Sequence, residues 1–251
     1  MRAEIPAIAV NGLSKTYRGG VVAVAGIDFT VSRGSIVGLL GGNGAGKTTT
    51  IAMVMGLVLP SGGIARVLGV DMARERHKIL HRINFESPYV EMPKRLTVRQ
   101  NLNVFGALYD VADKAEQIDK LAADLDLNEL LDRPTGQLSS GQKTRVALAK
   151  ALINQPEVLL LDEPTASLDP DTADWVRSHI ERFRRERHAA ILLASHNMPE
   201  VERLCDDVLM MKAGKIVDRG PPADLIARYG RQTMEEVFLD VARDRRREVA
   251  E

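Results

Sequence analysis

Ile36-Val37-Gly38-Leu39-Leu40 runs directly into Gly41-Gly42-Asn43-Gly44-Ala45-Gly46-Lys47-Thr48-Thr49, and this stretch decides the fold. Five apolar residues in a row read as a strand buried on both faces, as in a parallel sheet. Glycines at 41, 42, 44 and 46 let successive backbone N–H groups converge on one point. A helix predicted from Lys47 to Met55 adds positive potential at its N-terminus. Lys47 supplies a charge that reaches terminal phosphates, and Thr48 supplies a hydroxyl for Mg²⁺. Strand, glycine-rich loop and helix in that order form a phosphate cradle, for which residues 41–49 are the candidates.

Further along, Val158-Leu159-Leu160-Leu161-Asp162-Glu163 is a second apolar strand, ending in two acids. Ligands of open α/β sheets bind at the carboxyl edge, where Asp162 would stand. An acid there holds Mg²⁺ while its neighbour polarises a water. Around these two strands, Ile27 to Val31 alternates as a half-buried strand, Ile64 to Leu68 reads as another, and Ile191 to Ala194 as a third core strand. From about Asp71 to Asn154 the pattern is helical. Thr97-Val98-Arg99-Gln100 is a capping box opening a helix to about Tyr109, a second helix spans Asp113 to Asp124, and Ser139-Ser140-Gly141-Gln142 caps a third ending near Asn154. Asp169-Pro170 starts a long helix. Val208 to Val217 reads as a hairpin, and Thr233 to Arg247 as a charged helix. The architecture predicted is α/β: a parallel core, antiparallel strands near the N-terminus and a helical insertion.

Composition narrows the partners. Lys+Arg and Asp+Glu both number 34 in 251 residues, so net charge is zero and no bulk field draws nucleic acid. Aromatics at 4% are too few for base-stacking platforms. The lone Cys205 excludes an intrachain disulfide and fits a reducing compartment. No apolar run approaches the ~20 residues of a membrane span, and residues 1–12 lack a signal-like run, so a soluble cytosolic chain is expected. His77 and His81, four apart, read as part of a charged solvated face, as do Arg182 to His188 and Arg243 to Arg247.

The ordered motifs resemble those of the ATP-binding subunit of ABC transporters, over almost the whole length. Leu138-Ser139-Ser140-Gly141-Gln142 looks like that family's LSGGQ signature, Ala166-Ser167-Leu168-Asp169 like its D-loop, and Ser195-His196 like its switch histidine. Tyr17, in Ser14-Lys15-Thr16-Tyr17, matches the aromatic that stacks on adenine. The resemblance implies a P-loop NTPase (RecA-like) core with an antiparallel β subdomain, an ATPase domain over 5–228 with its insertion at about 88–156, and a charged tail over 229–251. It implies ATP and Mg²⁺ held by Lys47, Thr48, Asp162, Glu163 and His196, with Glu163 as general base. Ser139, Gly141 and Gln142 of a second, identical or paralogous, chain would close over the γ-phosphate, and Asp169 would bridge the two protomers. A membrane permease would dock near Tyr89-Val90-Glu91-Met92-Pro93 and hold the chain at the inner face of the membrane.

Two departures stand out. Ser140 replaces the first glycine of the signature, and Arg82-Ile83-Asn84-Phe85-Glu86-Ser87-Pro88-Tyr89 lacks the glutamine normally found after the second core strand. Glu86 or Ser87 would stand in for it on the metal or water side. Thr233 to Leu239 and Leu96 to Arg99 resemble the branch that exports drugs, lipids or polysaccharides. The rival reading is a non-transport ABC ATPase of the ribosome-associated or DNA-repair type. A metabolic P-loop kinase has no need of the 138–142 signature.

Overall fold

The computed structural model describes residues 5–87 and 91–243. Two sheets organise it. Strands β1 (Ile8–Thr16), β2 (Val22–Val31), β4 (Gly62–Val67) and β5 (Val70–Asp71) form an antiparallel sheet in the order β2-β1-β4-β5. The second sheet has six strands: β3 (Ile36–Leu40), β6 (Ile83–Glu86), β7 (Val158–Asp162), β8 (Ala190–Ser195), β9 (Asp207–Lys212) and β10 (Lys215–Gly220). Their order is β10-β9-β3-β8-β7-β6, parallel throughout except for β10 at the edge.

The apolar runs of β3, β7 and β8 are explained by burial on both faces. Ile36, Leu40, Leu159, Leu161, Ile191 and Leu193 face one core, shared with the helices α2 (Val98–Leu108), α3 (Lys114–Asp124), α4 (Ser140–Leu152), α5 (Pro170–Arg187), α6 (Met198–Leu204), α7 (Pro222–Arg228) and α8 (Met234–Ala242). The alternate residues Val37, Leu39, Val158, Leu160, Ala190 and Leu192 face a second core, closed by α1 (Lys47–Val54) and the antiparallel sheet. The period-2 alternation of side chains thus splits each strand between two cores.

The α/β class with a parallel-stranded sheet, an antiparallel sheet and helices is as the sequence predicts. Both capping boxes form: Thr97 with Gln100 at α2, and Ser139 with Gln142 at α4. Some details differ. The stretch from Asp71 to Asn154 is not wholly helical, because Ile83 to Glu86 forms the edge strand β6, too short to show a period in sequence. His77 and His81 lie in two successive 3-10 turns, Arg76–Lys78 and Leu80–Arg82, rather than on one α-helix. Helices α6 and α7, of seven residues each, are too short to show a helical period in sequence and are not expected from it. Tyr89 and Val90 of the expected docking segment, and residues 244–247 of the expected last helix, lie outside the described residues. Among the described residues no helix is long and apolar enough to cross a membrane.

Candidate nucleotide site

The glycine loop sits between β3 and α1 at the carboxyl edge of the parallel sheet. Close backbone approach dictates two of its glycines. A Cβ at Gly41 would lie 2.5 Å from the Met211 carbonyl oxygen, and one at Gly46, whose φ is +104°, would lie 2.5 Å from the Ala23 carbonyl oxygen. The β9–β10 turn buttresses the loop from behind: Gly214 N–H donates to Ala45 O at 3.1 Å, and Gly214 O accepts from Ala25 N–H at 2.8 Å. Lys47 folds back so that its Nζ donates to Gly41 O at 2.6 Å.

Opposite the loop, Thr48 Oγ1 lies 3.4 Å from Asp162 Oδ2. Burial pushes the Asp162 carboxyl above its usual range, and the adjacent Glu163 charge pushes the same way; the Thr48 hydroxyl and Lys47 oppose both. A hydroxyl and a carboxylate facing each other beside a phosphate cradle are the hard oxygen donors that suit Mg²⁺, with phosphate oxygens completing the shell. The donor set fits the ion.

Glu163 begins the segment beyond β7 with φ +57°, a left-handed backbone that only glycine adopts freely. Its N–H is fixed on Ala194 O at 2.8 Å. From there its carboxylate reaches His196: Oε2 lies 2.6 Å from His196 Nδ1 and accepts the His196 backbone N–H at 3.2 Å. The Glu163 side chain is 13% exposed and that of His196 67%, so the pair presents a shielded acid and an open ring. Sequence reasoning missed the group underneath, Glu200, buried between Thr165 and Ser195. Asn197-Met198-Pro199-Glu200 does carry a helix-start signal, since Asn197 Oδ1 accepts the Glu200 N–H at 3.3 Å.

The other predicted residues make contacts of their own. Tyr17 follows β1 in a turn closed by its N–H on Val21 O at 2.9 Å, and its ring is half-exposed with Lys15 Nζ 5.2 Å from the centroid. Ser139 and Gln142 spend their side chains on each other: Ser139 Oγ accepts the Gln142 N–H at 3.3 Å and Gln142 Oε1 the Ser139 N–H at 3.0 Å. Gly141, in the first turn of the same helix, has Thr172 close by, 3.4 Å from where its Cβ would stand. Asp169 caps α5 through the Thr172 N–H at 3.0 Å and hydroxyl at 2.7 Å, bonds that hold its carboxyl below the usual range. Glu86 is buried, and its carboxylate meets Lys150 Nζ of α4 at 2.5 Å. The ammonium of Lys150 is the charged partner the fold gives it.

The chain matches the ABC transporter family model over residues 24–166, a span holding the phosphate loop, the 138–142 segment and Asp162-Glu163. It is 34% identical to the Nod factor export ATP-binding protein I of Ralstonia nicotianae, over 94% of this chain and 73% of that one. It is also 34% identical to the ABC transporter ATP-binding protein NatA of Bacillus subtilis, over 87% and 90%. Among solved structures, an ATP-binding subunit of an ABC transporter aligns with a TM-score of 0.85 at 24% identity, over 94% of this chain and 99% of that one. The cbiO1 protein of Clostridium perfringens, part of the cbiONQ complex, aligns with a TM-score of 0.79 at 32% identity, over 89% and 92%. With the family model covering more than half of the residues and relatives at 34% identity over most of both chains, the chain belongs to the ABC transporter family as an ATP-binding subunit.

Proposed function

We propose that this chain hydrolyses Mg-ATP in a site completed by a second ATP-binding subunit and so drives a separate membrane permease, in the direction of export. The observation that carries the hydrolytic reading is the Glu163–His196 contact beside the Thr48–Asp162 pair. On ATP binding, Lys47 exchanges the Gly41 carbonyl for the terminal phosphates, and loop N–H groups take the bridging oxygens. Thr48 and Asp162 would hold Mg²⁺, which supplies charge neutralisation between the phosphates. Glu163 accepts the proton of the attacking water, and the open ring of His196 contacts the γ-phosphate. Tyr17 stacks on adenine. From the second subunit, Ser139, Gly141 and Gln142 offer a capped helix N-terminus, a favourable seat for an anion; Asp169 stands at the same boundary.

Glu86, Ser87, Met92, Lys143, Thr144 and Ala147 line a cleft, and because Glu91 and Met92 of the expected docking segment help to form it, we assign the permease to this side. The permease would hold the chain at the cytoplasmic face of the membrane. Within the chain, residues 5–228 would form the ATPase unit, 88–156 its insertion and 229–251 an appended segment. Similarity to the Nod factor export protein supports export.

The test is Glu163→Gln. The amide keeps size and most hydrogen bonding but accepts no proton, and loss of a general base costs about 10²–10⁴ in rate. With Lys47, Thr48 and Asp162 intact, ATP accumulates between two chains and mass action favours the dimer. Light scattering should show a dimer for Glu163→Gln with Mg-ATP, and monomers with ADP or without nucleotide. A variant that hydrolyses at the wild-type rate removes Glu163 from its role. Adding Ser139→Arg should abolish the dimer; a persisting dimer refutes the two-chain site.

A further inference from the structure

Glu200 is a carboxylate that the chemistry above does not use. It lies on the first turn of α6 and is 0% exposed. A hydroxyl takes each of its oxygens: Thr165 Oγ1 donates to Oε1 at 2.8 Å, and Ser195 Oγ donates to Oε2 at 2.5 Å. Both hydroxyl residues are buried too, and Ser195 Oγ in turn accepts the Asn197 N–H at 3.0 Å. Thr165 stands two residues after Glu163, and Ser195 stands one before His196. The two segments that converge on Glu200 are therefore the two that carry the reactive pair.

A carboxylate is an expensive way to fasten a helix, because burying a charge costs several kcal/mol unless it is fully partnered. Burial pushes the Glu200 carboxyl up, and its two hydroxyl donors and Arg177 pull it back toward the ionised form. The two hydroxyls each meet a separate carboxylate oxygen, whereas a glutamine in the same place would offer a single acceptor oxygen. The need is local: Glu163 sits in a backbone state that costs roughly 1–2 kcal/mol and persists only where neighbours over-determine it.

We propose that Glu200 is a positioning residue for ATP hydrolysis, its carboxylate clamping the segment that bears Glu163 to the strand end that bears His196 so that base and imidazole move as one body. This rests on the hydrolytic reading of Glu163 and His196. Misplacement of a reacting group by about 1 Å costs about 10²-fold in rate, so a loosened clamp shows in turnover before binding.

The experiment uses the full chain with Glu200→Ala, Glu200→Gln, Thr165→Val and Ser195→Ala, beside wild type and Glu163→Gln. The readouts are kcat, KM for ATP, ADP affinity and melting temperature. Glu200→Ala should lower kcat by about 10–100-fold with KM and ADP affinity within about twofold. Glu200→Gln, which keeps one acceptor oxygen, should recover part of that loss, and Thr165→Val and Ser195→Ala should each show a partial loss. A Glu200→Ala kcat within about twofold of wild type overturns the proposal, as does a fall in kcat matched by an equal fall in ADP affinity. Should Glu200→Ala fail to fold, Thr165→Val decides, since it removes one hydroxyl at nearly constant shape; unchanged kcat there overturns the clamp. An active wild type, a silenced Glu163→Gln and an unaffected Glu200→Ala sink this inference alone, whereas Glu163→Gln at the wild-type rate sinks the hydrolytic reading beneath it.

Discussion

Glu157 receives Arg33 Nη1 at 2.7 Å and Arg82 Nε at 2.5 Å, tying the turn before β3 to the entry of β6. The Arg82 hydrogen bond, followed by that of Arg33, drops its carboxyl to about 2 from an ordinary 4.5. A depressed folded value means stability that is present above about 4.5 and is lost as pH falls toward 2. The side chain is 36% exposed, so solvent screening makes this contribution modest. Melting temperature followed from pH 6 to 2 should fall less steeply for Glu157→Gln than for wild type, and parallel curves would deny the linkage. At this scale the candidate site is legible where its residues stand side by side in the chain. Gly41 to Thr48, Asp162-Glu163 and Ser195-His196 are contiguous and follow apolar runs. Glu200 and Lys150 are not legible, because one charged residue on a short helix or amid Ala-Leu-Ala-Lys-Ala-Leu looks like any solvated charge until the fold buries it.

Helix α4 reaches from the signature segment to Lys150, whose ammonium meets Glu86 at the end of β6 and lies 5.6 Å from the centre of the Phe105 ring of α2. Asn84 adds to the seam, its Nδ2 donating to Lys150 O at 3.1 Å and its Oδ1 accepting the Tyr109 hydroxyl at 3.1 Å. Removing one partner of a buried pair leaves the other uncompensated, at a cost of about 3–5 kcal/mol, whereas replacing both with apolar groups is close to neutral. Urea unfolding should therefore place Lys150→Met alone and Glu86→Met alone well below wild type, with the double variant near it. Additive losses in the double variant would show that the pair carries no coupling. Elements opened by side-chain caps were readable, as Thr97, Ser139 and Asp169 show. Strand β6 was not: four residues paired along one edge only owe their shape to β7, not to any pattern of their own.

At the scale of the molecule, helix α8 packs into the core although it lies past the proposed ATPase unit. Met234 and Val237 of α8 are 0% exposed, and Lys212 Nζ of β9 donates to the carbonyls of Val241 and Ala242 at 3.0 Å each. Ending the chain after Arg228 would uncover two apolar sites worth about 1.5–3 kcal/mol each. Such a truncation should melt well below the full chain and bind hydrophobic dyes; an unchanged melting temperature would make the segment dispensable. The β-turn at Gly214, one residue from Ala213 and two from Lys212, passes that anchoring to the phosphate loop through Ala45. The left-handed backbone of Glu163 has a consequence for evolution as well as for chemistry. Relieving it with glycine returns roughly 1–2 kcal/mol while deleting the proposed base. Glu163→Gly should outlast wild type on heating yet turn over ATP about 10²–10⁴-fold more slowly, so a library screened for heat resistance alone would drift toward inert cassettes, and only selection on the proposed turnover keeps an uncomfortable glutamate in place.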